Sequence, residues 1–148
     1  MPTATLDAVE VANRLRPVLL HLNRQLRRET HSMGVTAGQV SLLATIHGVP
    51  GIGAGDLAAR EGMTAPAVCG HIDKLEAQGL VTRTRQGGDG DRRRVGLSVT
   101  VEGERVLRAV RSRRTAWLAS RLRELDAAEL AALDAAMAPL RRLIENGA

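Results

Sequence analysis

Four charged residues in the second half of the chain are the ones best suited to chemistry. Asp91 is followed by three consecutive arginines, Arg92, Arg93 and Arg94, which we call the arginine run. A guanidinium group stays charged and offers a planar fork of donors that matches phosphate, and a narrow minor groove of DNA attracts an inserted arginine. A run of like charges in water would only repel itself. The arginine run therefore favours contact with a nucleic acid over the alternative, a merely solvated loop.

A second candidate surface lies upstream, on a predicted helix from Thr64 to Gln78. Thr64 is a suitable N-cap, Gly79 is a suitable stop, and apolar residues at three- and four-residue steps mark the buried face. The opposite face then carries Pro66, Ala67, Gly70, His71 and Lys74. Small residues permit close approach to base edges, the histidine could meet a base edge or phosphate, and the lysine should meet phosphate. The alternative is an ordinary surface helix.

The flanking sequence predicts a scaffold for these two surfaces. Residues 56–61, ended by Gly62, and the helix that begins at Thr64 form a helix-turn-helix. Alternating residues over 80–85 and 95–99, on either side of the glycine-rich segment 86–91, predict a β-hairpin that carries the arginine run. Ile52, between two glycines, could form a very short strand. A base-reading helix and a basic hairpin would thus follow each other in the chain.

Amphipathic helices precede and follow this central part. We predict one from about Leu6 to His31, in which Pro17 causes a kink or marks the true start, and a second that is capped by Thr36. A long helix should begin after Thr100, and a last one should have a capping box at Asp126. The predicted fold class is therefore mainly α with a small β-hairpin (α+β). Because the terminal helices are too apolar for a domain of roughly 70 residues to cover, we expect a second copy to pair with them unless they fold back on their own chain.

Composition narrows the class of protein. The 148 residues carry a formal charge of +5, and 20 of the 21 basic residues are arginine, Lys74 being the exception, which favours a polyanionic partner. Aromatic residues make up only 1%, so Leu, Val and Ala must form the core through helix contacts. A single cysteine, Cys69, excludes an intramolecular disulfide and a multi-cysteine zinc site. Nothing else in the chain suggests a structural metal, and we expect no cofactor. No apolar run approaches the ~18–20 residues of a membrane span, and the N-terminus lacks a basic region followed by an apolar core, so we expect a cytoplasmic protein.

The residues of the predicted hairpin resemble a known family. The run Asp91-x-Arg93-x-x-x-Leu97-x-Val99-Thr100-x-x-Gly103 is similar to the wing motif of the MarR family of bacterial transcription regulators. The pattern of that motif is Asp-x-Arg, then apolar-x-apolar-Thr, then a glycine early in the next helix. The resemblance extends upstream through Leu75-Glu76-x-x-Gly79-Leu80-Val81, Leu57-Ala58 and the first long helix. It covers nearly the whole chain.

The resemblance implies a single MarR-like domain over residues 1–148, with dimerisation helices over 1–33 and 101–148 and a winged helix-turn-helix lobe over 34–100. The terminal helices of a homodimer would intertwine, and two lobes would read a pseudo-palindromic site in double-stranded DNA, by default as a repressor. Arg93 would enter the minor groove, and Asp91 would orient a neighbouring arginine, Arg83 or Arg85, by a charge-assisted hydrogen bond. The other two arginines of the run would contact phosphate or be spare charge. Relatives often carry more hydroxyl and amide groups on the recognition helix, so DNA shape and the wing should matter more here.

Many members of the family respond to small, often phenolic, carboxylates bound in a crevice between the dimerisation helices and the winged lobe, which implies a possible effector. The candidate lining residues are His21, Arg24, His47, Trp117 and Arg121. Each of these is more often a structural or surface residue. A thiol on the recognition helix would couple oxidation to DNA release, but cysteine-sensing relatives carry their reactive residue in the first helix. We therefore interpret Cys69 as a small, half-buried filler.

Two other function classes fit less well. An enzyme needs a nucleophile and base, paired carboxylates or a metal cluster, yet the four histidines are scattered and the glycine cluster at 87–90 lacks the lysine of a phosphate-cradling loop. A non-sequence-specific architectural or RNA-binding protein is the more serious alternative, but RNA binders usually stack bases on aromatics and only Trp117 is available. We therefore predict a DNA-binding regulator and no enzymatic activity.

Overall fold

The computed structural model describes residues 5–85 and 95–146, which form six α-helices and a two-stranded hairpin. The helices are α1 (Ala8–Arg28), α2 (Ala37–Gly48), α3 (Ala54–Glu61), α4 (Ala65–Ala77), α5 (Val101–Leu122) and α6 (Ala127–Glu145). The strands are β1 (Val81–Arg85) and β2 (Val95–Val99), and a 3₁₀ turn, His31–Met33, lies between α1 and α2. The predicted mainly helical class with a small hairpin is confirmed. We call the hairpin of β1 and β2 the wing.

Local side-chain caps begin most of the helices where the sequence predicts them. At α2 the Thr36 hydroxyl accepts the Gln39 amide at 3.1 Å, and the Gln39 side chain accepts the Thr36 amide at 3.0 Å. Asp126 and Glu129 form the same reciprocal pair at α6, with distances of 2.8 and 3.0 Å. Thr64 caps α4 through its side chain. These bonds satisfy amides that a helix start otherwise leaves without a partner.

Helix α1 differs from the predicted range. Asp7 is its N-cap, and the helix continues through Pro17, so the alternative start near that proline is wrong. The helix ends at Arg28, earlier than predicted. The next residues turn away because Thr30 is fully buried and its hydroxyl donates to the Arg27 carbonyl at 2.8 Å, which supplies a partner for a carbonyl at the helix end.

The hydrophobic core lies among α2, α3, α4, the wing and the first half of α5. All fully buried apolar side chains of the described chain fall between Val35 and Val110. The strands pair antiparallel, with Val81 opposite Val99. Ile52 forms one isolated antiparallel bridge to Leu97 at the position where the sequence suggests a very short strand. This core fixes α4 and the base of the wing to one body.

The chain divides into two compact units, Met1–Arg114 and Thr115–Ala148. The first unit contains the whole buried apolar core. The second contains the end of α5 and helix α6, of which no residue is buried, and α1 in the first unit likewise has no buried residue. None of the helices in the described ranges is long and apolar enough to span a bilayer.

Candidate nucleic-acid interface

Helix α4 presents most of the outward face that the sequence predicts. Val68, Ile72 and Leu75 are at most 1% exposed and hold the helix on the core. The residues on the opposite side that are exposed are Pro66, Ala67, Gly70 and Lys74. We call these four residues the α4 face. Small side chains therefore occupy the N-terminal part of this face, with a single positive charge towards its C-terminal end.

Gly70 lies at the centre of the α4 face. A Cβ added at this position would meet no heavy atom within 4 Å, and the backbone φ is not positive. Neither packing nor backbone conformation therefore requires a glycine. A glycine in a helix interior costs about 0.5–1 kcal/mol relative to alanine. This residue leaves the backbone of α4 open to close approach from outside, at a cost in stability.

Two neighbours on α4 differ from the expectation. His71 is half-buried rather than fully outward, and its Nδ1 atom is buried with no hydrogen-bond partner, so the ring lies at the edge of the α4 face. Cys69 is exposed, so its interpretation as a half-buried filler is wrong. It directly follows Val68, and one residue turns a helix by about 100°, which carries its side chain away from the core.

Arg83 joins the wing to α4. Its Nη2 atom lies 2.6 Å from Asp73 Oδ1, and its Nε atom lies 3.6 Å from Glu76 Oε2. The two acidic residues are three positions apart and therefore share one side of α4. Sequence reasoning placed Arg83 at the DNA or beside Asp91 and missed this bridge. Two acids at that spacing, followed by an arginine on the next strand, are the signal that could have revealed it.

The base of the wing is fixed by Thr100 and Gly103, two residues of the family-like motif. The Thr100 hydroxyl donates to the Gly79 carbonyl at 2.7 Å and accepts the Gly103 amide at 3.0 Å. A Cβ at Gly103 would overlap the Leu80 carbonyl oxygen and lie 2.6 Å from Val99 Cγ1. Only glycine lets the first turn of α5 pack this closely on the end of the wing. The threonine and glycine of the motif therefore set where the wing leaves the core.

The remaining predicted DNA contacts are Arg85, Asp91 and the arginine run. Residues 86–94, which include Asp91 and the arginine run, lie outside the described residues. Arg85, the last residue of β1, is exposed. Because side chains alternate along a strand, it shares one face of β1 with Val81 and Arg83. This face runs from the buried Val81 at the core, past the bridge to α4, to the exposed Arg85.

Three of the predicted effector-lining residues belong to the first unit, and two belong to the second. His21, Arg24 and His47 are exposed, and no hydrogen bond or ion pair in the described ranges links one of them to another. In the second unit, the Arg121 guanidinium lies 5.6 Å from the centroid of the Trp117 ring. Within residues 5–85 and 95–146, no group of three His, Cys, Asp or Glu side chains is placed to hold a metal ion.

Arg114, on α5, is a candidate ligand-binding residue that sequence reasoning missed. Its Nε atom is buried and has no hydrogen-bond partner. Loss of solvation lowers the pKa of this guanidinium, and the positive charge of Arg27 lowers it further. No ion pair among the described residues includes Arg114 or Arg27. The nearby carboxylate of Glu29 pairs instead with Arg113, at 3.8 Å. Among the described residues, these two arginines therefore lie close together without an acidic partner.

Comparison with known proteins agrees with this geometry. A family model described as MarR family matches residues 33–93, from just before α2 into the wing. A helix-turn-helix transcriptional regulator of Mycobacterium tuberculosis is 34% identical over 119 residues, which cover 80% of this chain and 82% of that protein. One from Mycobacterium leprae is 33% identical over 116 residues, 78% of this chain and 80% of that protein.

Solved structures show the same architecture over nearly the full length. A protein of Pseudomonas aeruginosa described as a transcriptional regulator superimposes with a TM-score of 0.79 at 32% identity, covering 97% of this chain and 98% of that one. A transcriptional regulator of Thermotoga maritima shares the fold at 23% identity, with a TM-score of 0.74 and coverage of 94% and 97%. The chain belongs to the MarR family of DNA-binding, winged helix-turn-helix transcription regulators.

Proposed function

We propose that the protein is a homodimeric transcriptional repressor that binds a pseudo-palindromic operator through α4 and the wing. The α4 face carries the proposal, because it is a small-residue surface with open space at Gly70, on a helix that the wing strand β1 contacts through Arg83. The N-terminal half of a recognition helix reads base edges in the major groove. Because the proposed target is chromosomal DNA, we place the protein in the bacterial cytoplasm.

Each part of the interface has its own proposed role. The groove-facing residues are the N-cap Thr64 and, on α4, Pro66, Ala67 and Gly70, with His71 at the edge. Phosphate contacts come from Lys74, Arg85, Arg92 and Arg94. Arg93 enters the minor groove, and Asp91 orients a neighbouring arginine. Small residues on α4 offer few hydrogen bonds to bases, so DNA shape supplies part of the specificity.

The DNA part of the proposal is tested by selecting bound duplexes from a random pool with the purified protein. Two related lobes predict a dyad whose half-sites lie about 10 base pairs apart from centre to centre. On the selected site, Arg93→Ala should weaken binding about tenfold, the worth of a single specific interaction with DNA. Selected duplexes without a dyad would favour the alternative, an architectural protein without sequence preference.

Helices α1 and α6 support the homodimer. On α1, Val18, Leu19 and Leu22 share one side of the helix and are 53%, 46% and 39% exposed. On α6, Leu130 and Met137 are each 45% exposed. Most of the stability of a helix in a protein comes from packing of its apolar face, and contiguous exposed apolar surface marks an interface. A second copy of the chain would cover both helices.

A charge placed on the apolar side of α1 tests the dimer. Leu22→Glu should shift the protein from dimer to monomer in sedimentation or light scattering, because the carboxylate would have to be buried without a partner. Asn13→Glu adds the same charge on the opposite side of α1 and should leave the dimer intact. Equal masses for the two variants and the wild type would contradict the proposed interface.

A small aromatic carboxylate is the proposed effector that releases the protein from DNA. The family resemblance suggests this ligand class and the candidates His21, Arg24, His47, Trp117 and Arg121. Arg114 and Arg27 add a further reason, because two neighbouring guanidinium groups that have no acidic partner within residues 5–85 and 95–146 suit a carboxylate. Salicylate should raise the melting temperature and weaken operator binding, and Arg114→Gln should reduce both effects. Salicyl alcohol, which lacks the carboxylate, is the control and should have neither effect.

A further inference from the structure

Arg83 carries the positive charge that a phosphate contact needs, but its neighbours are two carboxylates of α4. We propose that it is a positioning residue that fixes the angle between the wing and α4, and that it does not contact DNA. This inference rests on the proposed DNA-binding function and assigns Arg83 a role different from those of Lys74 and Arg85.

The bridge uses two edges of one guanidinium group. Nη2 lies 2.6 Å from Asp73 Oδ1 and Nε lies 3.6 Å from Glu76 Oε2, so the group lies between two carboxylates of α4. A planar fork can reach both partners, whereas the point charge of a lysine cannot do so with fixed geometry. The bridge therefore fixes a direction as well as a distance between β1 and α4.

Charge argues against a phosphate at this position. Asp73, Arg83 and Glu76 together carry a net charge of −1, so a phosphate that approaches the group meets repulsion rather than attraction. The Asp73 side chain is also more exposed than that of Arg83, 67% against 39%. An approaching phosphate would therefore meet the carboxylate of Asp73 more readily than the guanidinium.

The register of β1 shows what the bridge would control. Val81 is 1% exposed and holds the start of the strand in the core. Arg83 is the next residue on the same face and meets the flank of α4, and Arg85 lies beyond it. Thr100 and Gly103 fix the wing only at its base, whereas Arg83 holds it farther out. Loss of the bridge would let the outer end of β1, which carries Arg85, take a range of angles relative to α4.

The salt dependence of DNA affinity separates positioning from contact. Removal of one phosphate contact lowers the slope of log K against log salt by about one. Arg83→Gln should weaken binding to the selected operator about two- to fivefold, the worth of one exposed ion pair, and leave the slope unchanged. Lys74→Gln, a proposed phosphate contact, should reduce the slope by about one. Arg105→Gln removes the same charge from an Arg–Glu pair within α5 and should change neither quantity.

A double-mutant cycle with Asp73→Asn gives a second, independent readout. If Arg83 positions the wing, Asp73→Asn harms binding more in the wild type than in the Arg83→Gln background, where the bridge is already absent. If Arg83 contacts phosphate, Asp73→Asn frees the guanidinium for that contact. The substitution then strengthens DNA binding more in the wild type than in the Arg83→Gln background. The two models therefore predict coupling of opposite sign.

Each outcome decides the inference. An unchanged salt slope with the first sign of coupling supports it. A slope reduced by about one in Arg83→Gln, or the second sign of coupling, overturns it while the DNA-binding function stands. If the wild-type protein binds all duplex sequences with equal affinity, the proposed function and this inference are both overturned. The melting temperature of every variant shows whether a lower affinity reflects loss of fold. Substitutions at these exposed positions should shift it little.

Discussion

Replacement of Gly70 by leucine should move stability and DNA binding in opposite directions. The position is inside α4 and exposed, and an added Cβ meets nothing within 4 Å. Leucine is a good helix former, so Gly70→Leu should raise the free energy of unfolding by about 0.7 kcal/mol. In DNA binding, its four side-chain carbons would occupy the space that base edges need. The loss should equal one or two specific contacts, about 10- to 100-fold in affinity for the operator.

Urea denaturation and fluorescence anisotropy with a labelled operator measure the two effects on the same preparation. Ala77→Leu is the matched control, because it adds a leucine to the exposed C-terminal end of α4, away from the half that enters the groove. The control should bind DNA as the wild type does. If Gly70→Leu is more stable and also binds with wild-type affinity, α4 is an ordinary surface helix and the reasoning fails.

Three further predictions concern the wing base and the exposed thiol. Gly103→Ala should lower the free energy of unfolding by about 2–3 kcal/mol in urea denaturation, because the new methyl overlaps the Leu80 carbonyl. Thr100→Val should cost about 1–2 kcal/mol in the same assay, because the valine can neither donate to Gly79 nor cap α5. S-methylation of Cys69 should change operator affinity less than about twofold in anisotropy, because its side chain lies off the α4 face.

Each of these predictions has a contrary result. Gly55→Ala, in the open on α3, is the control for Gly103→Ala and should stabilise the protein. Equal unfolding midpoints for the two alanine variants would contradict the close contact at the wing base. A Thr100→Val protein as stable as the wild type would show that water replaces both bonds. A large loss of binding on methylation would revive a redox role for Cys69.

Local rules predicted most of the secondary structure correctly. The caps at Thr36, Thr64 and Asp126 depend on residues within three positions, so the sequence contains all the information they need. The stripe of Val68, Ile72 and Leu75 repeats strongly enough to orient α4. The prediction for Cys69 failed because one side chain beside such a stripe depends on how far the core extends around the helix, which periodicity does not specify.

Contacts between elements were beyond the reach of the sequence. Arg83 and Asp73 are ten residues apart on different elements, and their pairing depends on the angle at which β1 leaves α4. Gly103 was recognised as part of a motif, but the reason for a glycine is the Leu80 carbonyl that faces it in space. Arg114 has no local feature that marks it, since its burial depends on how α1 and α5 pack.

The most direct test of the central claim is the affinity for the selected operator relative to a scrambled duplex of equal length and composition, at one fixed salt concentration. A sequence-specific regulator should prefer its operator by about 10³-fold or more. Preference within about tenfold would mean that the positive charge alone accounts for binding, since phosphate contacts carry no sequence information. That result would contradict α4 as the element that reads the DNA sequence.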